Sequence, residues 1–237
     1  MRINLIAGLL IAAPVVALSN PAAASQFIFD SAVDGNSNVG LHKQIKTSFD
    51  DKSEMLTWSS TFSKNPNNGK LADGAWLVLS EGPNPKSHVQ AYTMFYMDGV
   101  NKKLTGYTYN GVNGSDSWQD QNSVFLGSWD LGVTESNDER TFNFGLDMGE
   151  INSRIDLGSD WKGTAFAETV GVWFHGVADV QASYNSDGSL SNFSYASQGW
   201  FDSDALATTK VPEPSAIAGL ALAGLLGAKK LRRKSAA

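Results

Sequence analysis

The chain has 237 residues, 42% of them hydrophobic and 11% aromatic, with 23 glycines, 7 prolines, no cysteine and a formal net charge of -6. That apolar share is too high for a disordered chain, and the length suits one domain of sandwich or barrel size. Without cysteine there is no disulfide, no thiolate metal site, no cysteine nucleophile and no redox pair.

These averages hide a partition. Every aromatic residue lies between Phe27 and Phe201. Of the 18 Lys and Arg, Arg2 and the five of residues 211–237 lie in the ends, which leaves 12; of the 24 acids only Glu213 does, which leaves 23. The central region, 26–210, therefore carries a net charge of -11. A surface that acidic repels nucleic acid, so nucleic acid is excluded as a partner.

Residues 1–25 begin with a basic Met1-Arg2, continue in an apolar run from Leu5 to Leu18, and end in the small residues Ala22-Ala23-Ala24-Ser25. This pattern predicts a secretory signal helix, removed by signal peptidase after Ala24 or Ser25. The run is too short for a membrane anchor, since the bilayer core takes roughly 20 apolar residues.

The segment Asp34-Gly35-Asn36-Ser37-Asn38 spaces oxygen ligands as a calcium loop does at its first, third and fifth positions. Its glycine falls one residue late, at Gly40, and no glutamate closes the loop. A surface turn is therefore the simpler reading, with calcium as the alternative and no other cofactor expected.

From here the pattern favours strands. Leu56, Trp58, Ser60 and Phe62 alternate with Thr57, Ser59 and Thr61, and Phe142, Phe144 and Leu146 alternate with Asn143 and Gly145. Period two over a short run predicts a half-buried strand. Ala75–Leu79, Ala91–Met97 and Val170–Phe174 are apolar on both faces, which predicts strands covered on both sides. Between the runs stand turn clusters such as Asn65-Pro66-Asn67-Asn68-Gly69, Asp98-Gly99, Asn110-Gly111 and Asp187-Gly188. No helical stripe and no internal repeat occurs in 26–210. The fold class is all-β: an antiparallel two-sheet sandwich of jelly-roll type.

Among the tryptophans, Trp76 and Trp173 lie in apolar runs and belong to the core. Trp118 stands in the polar stretch Asn113–Asp120 and is a candidate ligand platform; Trp161, after Ser159-Asp160, is a weaker one. His42, His88 and His175 are too scattered to suggest a metal site. No His-Glu-x-x-His, Gly-x-Ser-x-Gly or phosphate-binding glycine loop occurs, and no two acids are singled out as a catalytic pair. A non-catalytic role is expected.

The C-terminal part, 211–234, carries Val211-Pro212-Glu213-Pro214, an apolar stretch from Ala216 to Ala228, and then Lys229, Lys230, Arg232, Arg233 and Lys234. As a helix at about 1.5 Å per residue the stretch covers about 20 Å, short of the roughly 30 Å hydrocarbon core. The flanking cations can snorkel and hold that end on the cytoplasmic side. This order of elements closely resembles the PEP-CTERM sorting signal of exported bacterial proteins. The resemblance implies that Pro212, Glu213 and Pro214 are recognised by exosortase, a membrane protease-transpeptidase, and that the tail is removed or exchanged; a permanent tail anchor that is never processed is the alternative. Carriers of the signal are typically linked to an exopolysaccharide-producing cell surface, so exopolysaccharide is an implied partner.

A second, shorter resemblance lies in Leu71-Ala72-Asp73-Gly74-Ala75-Trp76-Leu77-Val78-Leu79, which looks like the Asp-Gly strand of lectins with the concanavalin A-like jelly roll. It implies that Asp73 and Gly74 touch sugar hydroxyls. The Glu-x-Asp metal strand of legume-type lectins has no counterpart, since Thr93–Asp98 holds one acid. The expected protein is thus exported and transiently membrane-anchored, then held at the cell surface or in the extracellular matrix, with polysaccharide as its candidate ligand. The alternatives are a secreted glycoside hydrolase or lyase of the same fold and a purely structural adhesion module.

Overall fold

The computed structural model describes residues 25–37, 39–50, 52–81, 91–111, 114–165, 169–207 and 209–212. The segment expected to be a signal, up to Ala24, and the tail from Glu213, including Pro214 and the terminal basic residues, lie outside them, as does His88. Two six-stranded antiparallel sheets form the body. The first has β1 (Ser25–Ser37), β2 (Gly40–Asp50), β3 (Met55–Ser63), β8 (Gly132–Glu135), β9 (Glu139–Asp147) and β14 (Thr209–Pro212) in the order β14-β1-β2-β3-β9-β8. The second has β4 (Gly74–Ser80), β5 (Thr93–Asp98), β6 (Lys103–Thr108), β7 (Phe125–Asp130), β10 (Thr169–Ala178) and β13 (Ser197–Ala207) in the order β13-β10-β4-β5-β6-β7. A separate hairpin joins β11 (Gln181–Tyr184) to β12 (Leu190–Ser194).

The alternation expected around Trp58 is present in β3, where Leu56, Trp58, Ser60 and Phe62 are buried and the residues between them are not. One face of the first sheet thus supplies Ile45, Phe49, Leu56, Trp58, Phe62, Phe142, Phe144 and Leu146 to a core whose other half comes from Ala75, Leu77, Leu79, Phe95, Met97, Leu104, Val172 and Phe174 of the second sheet. Each fully buried side chain of this size contributes about 1.5–3 kcal/mol by leaving water. The Trp58 indole donates to Ser60 Oγ at 3.2 Å, so its polar edge is satisfied inside the core.

The second sheet is different, because β4 and β5 are buried at every position. Their outward residues meet a second apolar cluster of Trp76, Val78, Tyr92, Met94, Tyr96, Tyr107, Tyr109, Trp173 and Val177. The β11–β12 hairpin packs on it through Ala182, Tyr184 and Phe193. This explains why the apolar runs of β4, β5 and β10 lack alternation. Trp76 and Trp173 are buried as expected, but in this outer layer and not between the sheets.

Short helices interrupt the strands where the sequence suggested none: α1 (Gly114–Ser117), α2 (Gly149–Asn152) and a 3-10 turn at Ile155–Leu157. Each is about one turn, too short to leave a helical stripe in the sequence. At the margin of the first sheet, Ser25 pairs with Pro212 and Gln26 with Val211 across β1 and β14. The sheet therefore reaches one residue beyond the expected domain start and two beyond its expected end. A proline is tolerated there because β14 is an edge strand, where a missing N–H breaks no central ladder.

Candidate functional site

β7 ends the second sheet and pairs with β6 alone. Leu104 faces Trp129 across this pair and both pack on the inter-sheet core, but at the sheet margin the indole stays partly exposed. Gly106 faces Gly127 in the same ladder. A Cβ on Gly106 would stand 3.1 Å from the Trp129 ring, and one on Gly127 2.6 Å from it. The indole therefore lies directly against bare backbone, and the two glycines are what make room for it. Gly127 also has φ +154°, and the register shifts just beyond it, between Gly106 and Tyr107.

On the opposite face of these strands Ser128 lies across from Thr105, and Asp130 across from Lys103. The preceding turn is built on Asp98, whose Oδ1 accepts the N–H groups of Val100 (3.0 Å) and Asn101 (2.9 Å). Its Oδ2 accepts Asn101 Nδ2 at 2.8 Å and the Tyr184 hydroxyl at 2.7 Å. Four such bonds to one buried carboxylate fix the turn. Asn101, Lys102, Lys103, Ser128, Trp129 and Asp130 together line a groove of about 440 Å³.

The hairpin borders it. A Cβ on Gly188, at the hairpin tip, would stand 3.0 Å from Ser128 Cβ and 3.4 Å from Lys103 Nζ. Lys103 Nζ lies 4.1 Å above the Tyr184 ring. Hydrogen bonds from Ser189, with a smaller contribution from Lys103, hold the Asp187 carboxyl below its ordinary range. Burial first, then its bond to Asp98, pushes the Tyr184 phenol up, so it stays a neutral donor.

The residues lining the groove thus offer an indole, two ammoniums, a hydroxyl, an amide and one carboxylate. That is a set of donors and acceptors suited to a polyhydroxylated ligand of one to two rings, in a volume typical of ligand clefts. Glycosidic hydrolysis takes two carboxylates, and Asp130 is the one acid lining this groove. A second groove of about 390 Å³ runs along Asn152–Ile155, Gly158, Ser159 and Trp161, and a third of about 260 Å³ crosses Lys46–Ser48 and Thr57–Ser59; neither is lined by an acid.

The residues singled out from sequence fall elsewhere. Asp73 lies just before β4 with both carboxylate oxygens engaged: Oδ1 accepts Arg140 Nη1 at 2.9 Å and Oδ2 accepts Asp179 N–H at 2.7 Å. Gly74 is inside the ladder, where a Cβ would meet Met97 O at 2.6 Å and the Tyr96 ring at 3.2 Å. Trp118 follows α1, is half-buried, and packs on the outer aromatic cluster. Trp161 is buried, and its indole donates to Ile151 O at 2.7 Å. His42 and His175 are buried, and burial lowers each to about 4. The side chains of Asp34–Asn38 lie outside the described residues; among those described, no cluster of three or more His, Asp or Glu side chains is placed to hold a metal.

Trp129, Lys103 and Asp130 were not singled out from sequence. The available signal was a pair of glycines, Gly106 and Gly127, but it becomes readable only once β6 and β7 are in register. No protein-family model, curated protein or solved structure matches this chain.

Proposed function

We propose that this chain is an exported, non-catalytic protein of the cell surface or extracellular matrix that binds polysaccharide in the Trp129 groove. The groove itself carries the reading: it is lined by Trp129, whose partly exposed indole is seated on two glycines, together with Asn101, Lys102, Lys103, Ser128 and Asp130. A pyranose packed against the exposed part of the indole at the sheet margin can exchange hydrogen bonds with the polar residues that line the same groove.

Delivery rests on the two ends of the chain. The PEP-CTERM-like tail assigns Pro212, Glu213 and Pro214 to recognition by an exosortase-type enzyme, and the N-terminal segment to signal peptidase. The pairing of Ser25 with Pro212 supports this, because it sets the two expected processing junctions side by side. The second sheet's aromatic outer layer and the Asp73-Gly74 strand fit a jelly roll of the concanavalin A-like kind, with Asp73 in a structural role.

The hydrolase alternative is disfavoured by the single acid of the groove. A glycan array probed with the domain from Gln26 to Pro212 tests the reading. Binding to neutral polysaccharides is expected; silence on every glycan overturns it.

A further inference from the structure

The register of the first sheet sets a row of residues at one end of the sandwich. Val211 faces Gln26, Gln26 faces Asp50, Asp50 faces Met55 and Met55 faces Asp147. The next pair outward is Ser25 with Pro212, so both apolar stretches of the sequence, Leu5 to Leu18 and Ala216 to Ala228, join the domain at this end. The second joins it closely. Fully extended, the chain from Pro212 to Ala216 spans at most about 14 Å, so whatever takes up that stretch is met within this distance of the row.

The same end presents apolar side chains to solvent. Among the described residues the exposed large hydrophobics are Met55, Val100 and Ile155, at 38, 60 and 92%. Met55 stands in the row itself. Ile155 follows α2, which begins two residues after Asp147 and is tied to the turn before Met55: Met148 N–H donates to Glu54 O at 2.9 Å and Asn152 Nδ2 to Glu54 Oε1 at 3.2 Å. Ile151 is buried and its carbonyl accepts the Trp161 indole, so the segment that carries Ile155 is held in place. Val100 marks the opposite end. Its turn is joined to Asp73 by the Gly99 N–H, and Asp73 to Arg140, which faces Phe62 at the far end of β3 from Met55.

We infer that this end of the sandwich is a lipid-contacting face, and that Met55 and Ile155 enter the interfacial layer of a zwitterionic bilayer in which the flanking apolar stretch is inserted. Charge selects the lipid. The exposed acids Asp147, Glu150 and Asp156 outnumber the cations Lys52 and Arg154, and Arg154 already donates to Asp156 through two bonds of 2.7 Å. Such an end is repelled by anionic headgroups and suits zwitterionic ones, whose ammonium groups can meet the carboxylates. Standing on this face, the domain holds Asn101 and Lys102 of the Trp129 groove, next to Val100, away from the bilayer. The inference rests on reading the apolar stretches as membrane segments and uses no residue of the groove.

The chain has no cysteine, so Met55→Cys, Ile155→Cys and Val100→Cys each carry one environment-sensitive fluorophore at an exposed site. The full chain is reconstituted with vesicles of phosphatidylcholine and phosphatidylethanolamine that contain brominated lipid. Emission from the labels at 55 and 155 should shift to the blue and be quenched, and the label at 100 should do neither. Adding phosphatidylglycerol should reduce both effects. A label at 55 or 155 that stays water-like in chains that float with the vesicles overturns the face and leaves the membrane segments standing. An equal shift at 100 overturns it too, and shifts undiminished by phosphatidylglycerol overturn the choice of a zwitterionic surface. Chains that do not float remove the membrane segments and the face together.

Discussion

Arg140 on β9 donates through Nη1 to Asp73 Oδ1 at 2.9 Å, tying the first sheet to the segment that enters the second. The same nitrogen reaches Ala72 O at 2.6 Å, and Asp73 Oδ2 holds the Asp179 N–H at the hairpin root. Asp73 is therefore a joint between three segments. Both side chains of the pair are mostly shielded from water, so breaking it strands a charge. Asp73→Ala is expected to lower the unfolding free energy by about 2–3 kcal/mol in urea denaturation. Glycan retention should stay unchanged at temperatures where the variant is folded.

Gly127 is the point at which the groove can be spoiled without touching a polar group. Alanine there puts a methyl 2.6 Å from the Trp129 ring, at a φ that L side chains rarely adopt. The indole must move, since the backbone beneath it cannot. Gly127→Ala should cost about 1–3 kcal/mol of stability. It should also weaken polysaccharide binding, whereas Gly145→Ala, on the open face of β9, should do neither. Urea melts and affinity electrophoresis of the two variants provide the comparison.

His42 and His175 make stability depend on pH. His42 lies 4.3 Å from the Phe62 ring and 5.0 Å from Phe174, and burial lowers its pKa from 6.5 to about 4; His175 is lowered likewise, with a bond to Gln198 opposing the shift. Unfolded, both imidazoles take up a proton near 6.5. Between pH 6.5 and about 4 the unfolded chain thus binds more protons, and stability falls as pH falls through that window. The loss is on the order of 2–3 kcal/mol for each histidine by pH 4. Urea midpoints at pH 7.5 and 4.5 should show it, and His42→Leu should flatten the profile.

The paired ends bear on processing. Ser25 and Pro212 face each other across an edge ladder, so trimming at both junctions leaves the sheet intact. Mass spectrometry of the protein recovered from the cell surface should give a chain that starts at Ser25 or Gln26 and ends near Pro212 to Pro214. A surface form that still ends at Ala237 contradicts removal of the tail.

What could be read from sequence depended on how burial is distributed. β3 was legible because one face is buried and the other is not, which writes period two directly into Leu56, Trp58 and Phe62. β4 and β5 were legible as strands covered on both sides, but not what covers them. The hairpin does so through Ala182, Tyr184 and Phe193, which are only partly buried and spaced among polar residues. The tie from Asp73 to Arg140 was not legible, because the two are 67 residues apart and nothing local announces it. Trp129 was hidden for a similar reason: its seat is made by Gly106 on a neighbouring strand.

The central claim is that the Trp129 groove holds polysaccharide. Isothermal titration of the exopolysaccharide made by the source cells into the wild-type domain and into Trp129→Ala tests it most directly. Loss of the ring contact is worth roughly 1–2 kcal/mol, so the variant, titrated where urea melts show it folded, should bind about tenfold or more weakly. Equal affinity of the two proteins, or heat from neither, contradicts it.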